Sequence, residues 1–201
     1  MTTERAGAKE RRWIDAYFAG ESGRFLEIGS FDGITDSLTN GLIQSGWSGV
    51  MVEPNPHIFD ALLANHGANS AITLVHAAVA ENGGLTPFWD REGESQTSSI
   101  DERFVADDTN QARVRKYLIR STTVPELIQY FRGPRNWQLV VIDAEGVGEE
   151  LALALPHAQM VDTQILCVEY YKHKDEMIDR LLPWYRVAEI IHPNVILERK
   201  S

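Results

Sequence analysis

Four positions in the first third of the chain have the spacing of a nucleotide-binding site. Glu27, Gly29 and Gly33 lie in the stretch R-F-L-E-I-G-S-F-D-G, and Glu53 follows the second glycine by 20 residues. A glycine at a turn lets the backbone approach a ligand that a Cβ atom would exclude. An acidic side chain at the end of the next strand can accept hydrogen bonds from both hydroxyls of a ribose. The alternative for Glu53 is a solvated carboxylate at a strand end.

The elements around these residues predict a doubly wound α/β fold. Residues 25–28 form a short apolar run, which is typical of a strand buried on both faces, and residues 35–46 look helical. Strand, glycine turn and helix form the first unit of a sheet that binds ligands at the carboxyl ends of its strands. Later apolar runs alternate with helical patterns, and residues 185–198 predict a terminal hairpin. We therefore expect a mostly parallel sheet with helices on both faces and a C-terminal antiparallel hairpin.

Composition limits the classes of function. A chain of 201 residues is long enough for one sizeable core, so we expect a single domain over 1–201. The formal charge of −10 disfavours nucleic acid as a partner, because affinity for phosphate backbones comes largely from Lys and Arg. No signal peptide opens the chain, and no apolar run approaches about 18 residues, so no membrane partner is expected. The single cysteine, Cys167, fits a reducing cytoplasmic setting.

Two segments outside the predicted sheet have a distinct character. Apolar residues at helical spacing predict an N-terminal helix within residues 1–20 that lies on the core. Residues 90–110 are rich in Gly, Ser, Thr and Asp and have little periodicity. A polar stretch of that length within a compact domain is usually a lid, a binding loop or disordered. We expect a flexible lid or binding loop there, with Ser98 and Ser99 in its middle.

The motif E-x-G-x-x-x-G of residues 27–33 resembles motif I of the class I S-adenosylmethionine-dependent methyltransferases, which have a Rossmann-like fold. Its glycines are four residues apart, whereas a dinucleotide turn has G-x-G-x-x-G. Several segments together resemble the FkbM family of that class: residues 25–33, the string G-W-x-G-V-x-V-E-P-N-P of 46–56, Ala78-Val79, Ser98-Ser99 and I-D-x-E-G of 142–146. The chain departs from the family at Ser30-Phe31, where a small residue and Asn are usual, and at Glu149-Glu150, which follow a Val-Gly insertion.

The resemblance implies an enzyme that transfers a methyl group from S-adenosylmethionine to a hydroxyl of a sugar, glycan or small natural product. It places the loop after the third strand near the adenine ring, where small side chains leave room for a flat base. The cofactor-binding residues that it implies are Glu27, Gly29, Ser30, Asp32, Gly33, Glu53, Pro54, Ala78, Ser99 and Asp143.

Methyl transfer to an alcohol requires removal of the hydroxyl proton, and Asp143 is the first candidate for that role. Asp143 follows the predicted fourth strand, and it can take the proton itself or bind Mg²⁺ together with Glu145. The alternative is that both carboxylates only cap the next helix. His173, just past the fifth strand, is the best placed histidine for a base, although a lone histidine is more often a surface residue.

Two other functions remain open at this point. A nicotinamide-dinucleotide-dependent oxidoreductase has the same kind of sheet and a similar use for Glu53, but the glycine spacing speaks against it. A non-catalytic module that binds an adenosyl ligand keeps the same pocket without the chemistry. The sequence does not fix the acceptor or the oligomeric state.

Overall fold

The computed structural model describes residues 7–91, 98–107, 113–131 and 137–200. Its helices are α1 (Ala8–Tyr17), α2 (Asn40–Gln44), α3 (Pro56–His66), α4 (Glu102–Asp107), α5 (Val124–Tyr130), α6 (Gly148–Ala154) and α7 (Lys174–Leu181). Its strands are β1 (Arg24–Ile28), β2 (Ser48–Glu53), β3 (Ile72–His76), β4 (Ala78–Val79), β5 (Gly84–Arg91), β6 (Val114–Thr122), β7 (Leu139–Ile142), β8 (Ile165–Glu169), β9 (Tyr185–Ile191) and β10 (Asn194–Arg199). Within these ranges, no helix combines the length and the apolar character that crossing a bilayer requires.

The main sheet has seven strands in the order β3-β2-β1-β7-β8-β10-β9. The five strands from β3 to β8 run parallel, and β10 is antiparallel to both β8 and β9. The predicted mostly parallel sheet with a terminal hairpin is therefore confirmed. The chain runs outward from β1 through β2 to β3 on one side, and then returns to β7 on the other. The order reverses beside β1, which is where this class of sheet binds ligands.

Alternating side chains of the central strands build a core on each face of the sheet. Leu26 and Ile28 of β1 contribute to a core that α5, α6 and α7 cover, whereas Phe25 contributes to a second core under α1, α2 and α3. Both apolar sets are almost fully buried. Each such Leu, Ile or Phe side chain contributes about 1.5–3 kcal/mol through burial. The two cores hold the carboxyl ends of the central strands in fixed positions.

The expected helix over 35–46 is shorter in the structure, where α2 begins only at Asn40. The preceding residues form turns, and Phe31 and Asp36 have positive φ angles of 50° and 55°. The carboxylate of Asp32 accepts hydrogen bonds from the backbone N–H groups of Ile34 and Thr35. Such local bonds from a short acidic side chain compete with helix formation, which explains the late start of α2.

A second sheet of three strands, in the order β4-β6-β5, was not expected from the sequence. Within the stretch 90–110, Asp90 and Arg91 belong to β5, Ser99 forms a bridge with Trp89, and α4 begins at Glu102. This part of the expected loop is therefore regular structure. Residues 92–97 and 108–112 lie outside the described residues, and the predicted lid motion stays a prediction.

Candidate functional site

A cavity of about 240 Å³ lies at the carboxyl ends of β1, β2 and β7, where the strand order reverses. The structure brings most of the predicted site residues to its lining: Glu27, Gly29, Ser30, Glu53, Pro54, Ala78, Ser99, Asp143 and Glu145. Residues of the second sheet and of the segment 98–100 also line the cavity. The lining therefore combines the carboxyl ends of the main sheet with three residues of the stretch that was expected to be a loop.

The two glycines of the first turn serve the packing of the protein on itself. Gly29 has a φ of 85°, and a Cβ atom there would overlap the backbone carbonyl oxygen of Asp143. Gly33 has a φ of 74°, and its Cβ atom would overlap the ring of His66 and the side chain of Leu62. Glycine is therefore required at both positions by the protein's own atoms, whereas the sequence argument had assigned the requirement to an approaching ligand.

The carboxylate of Glu53 is held at the cavity wall by two backbone donors. The N–H of Phe31 donates to Oε2 at 2.9 Å, and the N–H of Asn55 donates to Oε1 at 2.8 Å. Only 6% of the residue is exposed, and burial raises its pKa to about 7 even though both hydrogen bonds oppose the change. Each carboxylate oxygen has a second lone pair available, so Glu53 can still accept hydrogen bonds from a ligand.

Glu27 lies beneath the glycine turn and is held in the same way. The hydroxyl of Thr39 donates to its Oε2 at 2.9 Å, and the hydroxyl of Ser30 donates to its backbone carbonyl at 3.2 Å. Ser30 Oγ also accepts from the N–H of Val52 at 3.1 Å, so it joins β1 to β2. Burial raises the pKa of Glu27 to about 8.

Three carboxyl groups meet on the other side of the cavity. Oxygen atoms of Asp143, Glu145 and Glu169 all lie within 4.8 Å of one another. Parallel pairing places Ile142 of β7 opposite Val168 of β8, so Asp143 and Glu169 follow neighbouring strand ends. From the sequence, Glu169 lies at the end of the predicted fifth strand, where it could contact acceptor or donor, but it was not grouped with Asp143 and Glu145. The rule that carboxyl ends of adjacent parallel strands meet at one edge is the signal that points to it.

Crowding of these carboxyls changes their protonation. Asp143 is accessible through the cavity, yet protein atoms surround its carboxyl group closely, and burial raises its pKa. Burial and then the charge of Asp143 raise the pKa of Glu145 to about 8. Burial, with the charges of Asp143 and Glu145, raises the pKa of Glu169 to about 11. Like charges this close cannot all ionise, so the group of three retains at least one proton at neutral pH.

The structure does not bring three predicted residues, Asp32, Gly33 and His173, to the cavity lining. The Asp32 carboxylate closes its own turn, where it also accepts from the hydroxyl of Thr35 at 2.7 Å. His173 precedes α7, and its exposed ring lies 4.0 Å from a carboxylate oxygen of Glu176. Their roles in donor binding or catalysis stay predictions without support from the geometry.

The segment that carries Ser99 is fixed to both sheets. Its backbone exchanges two hydrogen bonds with Trp89 of β5, at 2.9 and 3.1 Å. The Ser99 hydroxyl donates to the backbone carbonyl of Glu145, which follows β7. Ser99 therefore links the small sheet to the turn that carries two of the crowded carboxyls.

The helix α1 places one buried carboxyl group, that of Glu10, against a residue of the cavity lining, which the sequence analysis did not predict. Glu10 is buried, and its Oε1 accepts from the side-chain amide of Asn194 at 3.1 Å. Asn194 itself lines the cavity. The sequence signal for Glu10 is an acidic residue on the core-facing side of a predicted helix. The apolar residues around it in the helix made this signal easy to overlook.

Comparisons with known proteins address the fold. No protein-family model and no curated protein matches this chain. A putative rRNA-methylase from Clostridium thermocellum aligns over 100% of this chain and 99% of its own, with a TM-score of 0.54 and 10% identity. Fibrillarin from Aeropyrum pernix, solved with natively bound S-adenosyl-L-methionine, aligns over 96% of this chain and 74% of its own, with a TM-score of 0.52 and 10% identity. The fold is that of the class I methyltransferases.

Monomeric WbdD also aligns, over 95% of this chain, with 11% identity and a TM-score of 0.48. This chain spans only 39% of the length of that protein. At these identities the comparisons establish the fold alone. Membership of the FkbM family therefore stays a prediction.

Proposed function

We propose that this chain is an S-adenosylmethionine-dependent methyltransferase that methylates a hydroxyl group of a sugar, glycan or small natural product. The observation that carries the proposal is the position of Glu53 and Asp143 in one cavity at the point where the strand order reverses. A donor and an acceptor bound there are close enough to react in line.

The donor half of the proposal rests on Glu53 and on the charge of the cavity. Glu53 is fixed by two backbone N–H groups, so its remaining lone pairs have a defined direction for ribose hydroxyls. Six acidic residues line the cavity, and no Lys, Arg or His does so among the described residues. Binding of the positive sulfonium of S-adenosylmethionine favours the ionised form of these carboxyl groups, and the negative charges so formed stabilise the sulfonium. The bound donor in the fibrillarin neighbour supports the same assignment.

The part of the proposal that concerns the acceptor rests on the crowded carboxyl groups of Asp143, Glu145 and Glu169. The acceptor oxygen attacks the methyl carbon, the carbon–sulfur bond breaks, and its electron pair remains on sulfur as S-adenosylhomocysteine forms. The hydroxyl proton passes to Asp143, because burial raises the pKa of this carboxyl group and so favours proton uptake there. Holding the two reactants in line supplies the rest of the rate enhancement.

A divalent cation fits the same group of residues. Asp143, Glu145 and Glu169 would hold it, since carboxylate oxygens are the ligands that Mg²⁺ prefers and theirs lie within 4.8 Å of one another. When bound, Mg²⁺ supplies Lewis-acid polarisation of the acceptor oxygen. Asp143 would then be a ligand of the ion instead of the proton acceptor. Activity assays with a chelator, and again after Mg²⁺ is added back, distinguish a proton-accepting Asp143 from a metal-binding Asp143.

The acceptor class follows from the FkbM resemblance and from charge. The net charge of −10 and the acidic cavity disfavour a phosphate-rich acceptor, so a neutral hydroxylated compound is proposed over nucleic acid. A cytoplasmic setting belongs to the proposal as well. It is supported by the free and buried thiol of Cys167.

The test combines binding with turnover. Calorimetric titration measures the affinity for S-adenosylhomocysteine and for NAD, and methyl-labelled donor is then incubated with sugars, glycans, small polyols and an RNA fragment. The proposal expects tight S-adenosylhomocysteine binding, weak NAD binding and label on a hydroxylated acceptor. Binding without any turnover indicates a non-catalytic module, and preferred binding of NAD or labelling of RNA alone overturns the proposal.

A further inference from the structure

A buried carboxylate outside the cavity holds the chain that follows β8. Glu149 lies in the first turn of α6, and only 3% of the residue is exposed. Its Oε1 accepts three backbone hydrogen bonds, from the N–H groups of Tyr171 at 2.7 Å and of Lys172 and His173 at 2.9 Å each. One side-chain oxygen thus fixes three consecutive residues of the turn between β8 and α7.

The residue before it brings the same helix against the end of β8. A Cβ atom on Gly148 would overlap the backbone carbonyl oxygen of Glu169. The first turn of α6 therefore contacts the backbone of Glu169 directly and also holds the residues just after it. Because α6 begins three residues after Glu145, this turn connects two members of the crowded carboxyl group.

We propose that Glu149 is a positioning residue that fixes the chain after β8 so that Glu169 keeps its place beside Asp143 and Glu145. Glu149 touches neither donor nor acceptor in this assignment, and it acts through the backbone. The sequence analysis noted Glu149 and Glu150 only as a departure from the FkbM pattern. The kinetic part of this inference rests on the proposed methyltransferase function.

The physical reason is that three backbone donors lose their shared acceptor at once. Three adjacent N–H groups cannot find other protein acceptors without a change in the backbone, and buried donors without partners are costly. Removal of the Glu149 carboxylate therefore lets the turn open and lets Glu169 move relative to Asp143. Misplacement of a reacting group by about 1 Å can reduce a rate by about 10²-fold.

The experiment compares Glu149→Ala and Glu149→Gln with Glu150→Ala. Glu150 is the neighbouring acid in the same helical turn, but it is exposed, so its removal changes charge without touching the turn. Hydrogen–deuterium exchange of the amides of residues 171–173 is measured first, since it requires no activity. Donor affinity and the kcat for the labelled acceptor are measured on the same preparations.

The inference expects slow exchange of these three amides in wild type and in Glu150→Ala, and exchange at least about 10²-fold faster in Glu149→Ala, because each amide loses its acceptor. Glu149→Gln keeps one acceptor oxygen and should give an intermediate rate. The kcat of Glu149→Ala should fall by about 10–10²-fold while the donor dissociation constant changes less than about 3-fold. If Glu149→Ala fails to fold, the same measurements on Glu149→Gln test the inference.

Wild-type exchange rates at 171–173 in both Glu149 variants overturn the inference. So does an unchanged kcat in a variant whose amides exchange faster, since Glu149 is then structural for the turn alone. A wild-type protein that neither binds S-adenosylhomocysteine nor transfers a methyl group contradicts the proposed function instead. The exchange measurement still tests the hold of Glu149 on the turn in that case.

Discussion

The carboxylates on the two sides of the cavity have different surroundings. On the side formed by β1 and β2, Glu27 and Glu53 each accept hydrogen bonds from protein donors, namely a threonine hydroxyl and two backbone N–H groups. On the side formed by β7 and β8, the carboxyls of Asp143, Glu145 and Glu169 face one another within 4.8 Å. The first side has fixed acceptor directions, whereas the carboxyl groups of the second side crowd one another and retain at least one proton.

This difference indicates that the two sides of the cavity have different functions. A carboxylate that is held by donors has a defined geometry, which suits recognition of a ligand by hydrogen bonds. A crowded group of carboxyls has a high affinity for a proton or a cation, which suits chemistry at the acceptor. The comparison predicts that substitutions on the β1–β2 side change donor affinity, whereas those on the β7–β8 side change turnover.

The largest effect is expected from Asp143→Asn. The amide keeps the size of the side chain but cannot take a proton, so kcat should fall by about 10²–10⁴-fold while the affinity for S-adenosylhomocysteine changes little. Steady-state kinetics and calorimetry on one preparation measure both quantities. Asp162→Asn, at an exposed position, is the matched control. Loss of donor affinity equal to the loss of rate would show that the two sides do not act separately.

The next effect concerns the contact that joins the two sides. Gly29→Ala places a Cβ atom against the carbonyl of Asp143 at a φ of 85°, so unfolding free energy should fall by about 3 kcal/mol or more. Gly46 has a similar φ of 90° but nothing within 4 Å of its Cβ position. Gly46→Ala should therefore cost only about 1 kcal/mol. Denaturant unfolding of both variants measures the difference, and equal costs would mean that the overlap is relieved without strain.

The β1–β2 side was largely predictable from sequence because its signals are local. Gly29, Gly33 and Glu53 lie within one strand–turn–helix–strand unit, and the E-P-N-P string predicts both the strand end and the cap of α3 at Asn55. The terminal hairpin and the capping box of α5 follow from equally short patterns. Residues close in sequence have few alternative arrangements, so spacing is sufficient to place the strand end and the cap, although α2 begins five residues later than expected.

The β7–β8 side was predicted only in part, because it depends on pairing between distant segments. Asp143 and Glu145 were assigned as neighbours of one strand end, but Glu169 joins them through the β7–β8 register. Glu149 accepts hydrogen bonds from three backbone N–H groups that follow β8, and no sequence pattern predicts such a contact. The second sheet was missed for the same reason, since β4 has two residues and pairs with β6 more than forty residues later.

A smaller effect is expected from Glu53→Gln, which tests whether the β1–β2 side binds the donor. The amide loses the charge and one acceptor, so donor affinity should weaken by about 10-fold, or ~1.4 kcal/mol. Calorimetry with S-adenosylhomocysteine gives this value. A donor analogue that lacks both ribose hydroxyls should bind wild type and variant equally. If the variant weakens both ligands to the same extent, Glu53 does not recognise the ribose.

A further effect concerns the pH dependence of stability, and it isolates the burial of Glu27. Burial raises the pKa of Glu27 from 4.5 to about 8, so between these values the folded state binds more protons than the unfolded state. Its contribution to stability is therefore complete below about pH 4.5 and is lost as the pH rises towards 8. One proton corresponds to a slope of roughly 1.4 kcal/mol per pH unit. Glu27→Gln should remove this slope, measured as unfolding free energy from pH 5 to 8.

The matched control is Asp32→Asn, whose titration lies outside that window. Partial burial acts to raise the pKa of Asp32, but the hydrogen bonds from Thr35 and Ile34 outweigh it and lower the pKa below 3.8. Its stabilising contribution is present above that value and is lost only as the pH falls further. Between pH 5 and 8, Asp32→Asn should therefore keep the wild-type slope. A Glu27→Gln curve parallel to that of Asp32→Asn would show that Glu27 ionises in the folded state as readily as in water, and that the turn above it does not exclude solvent.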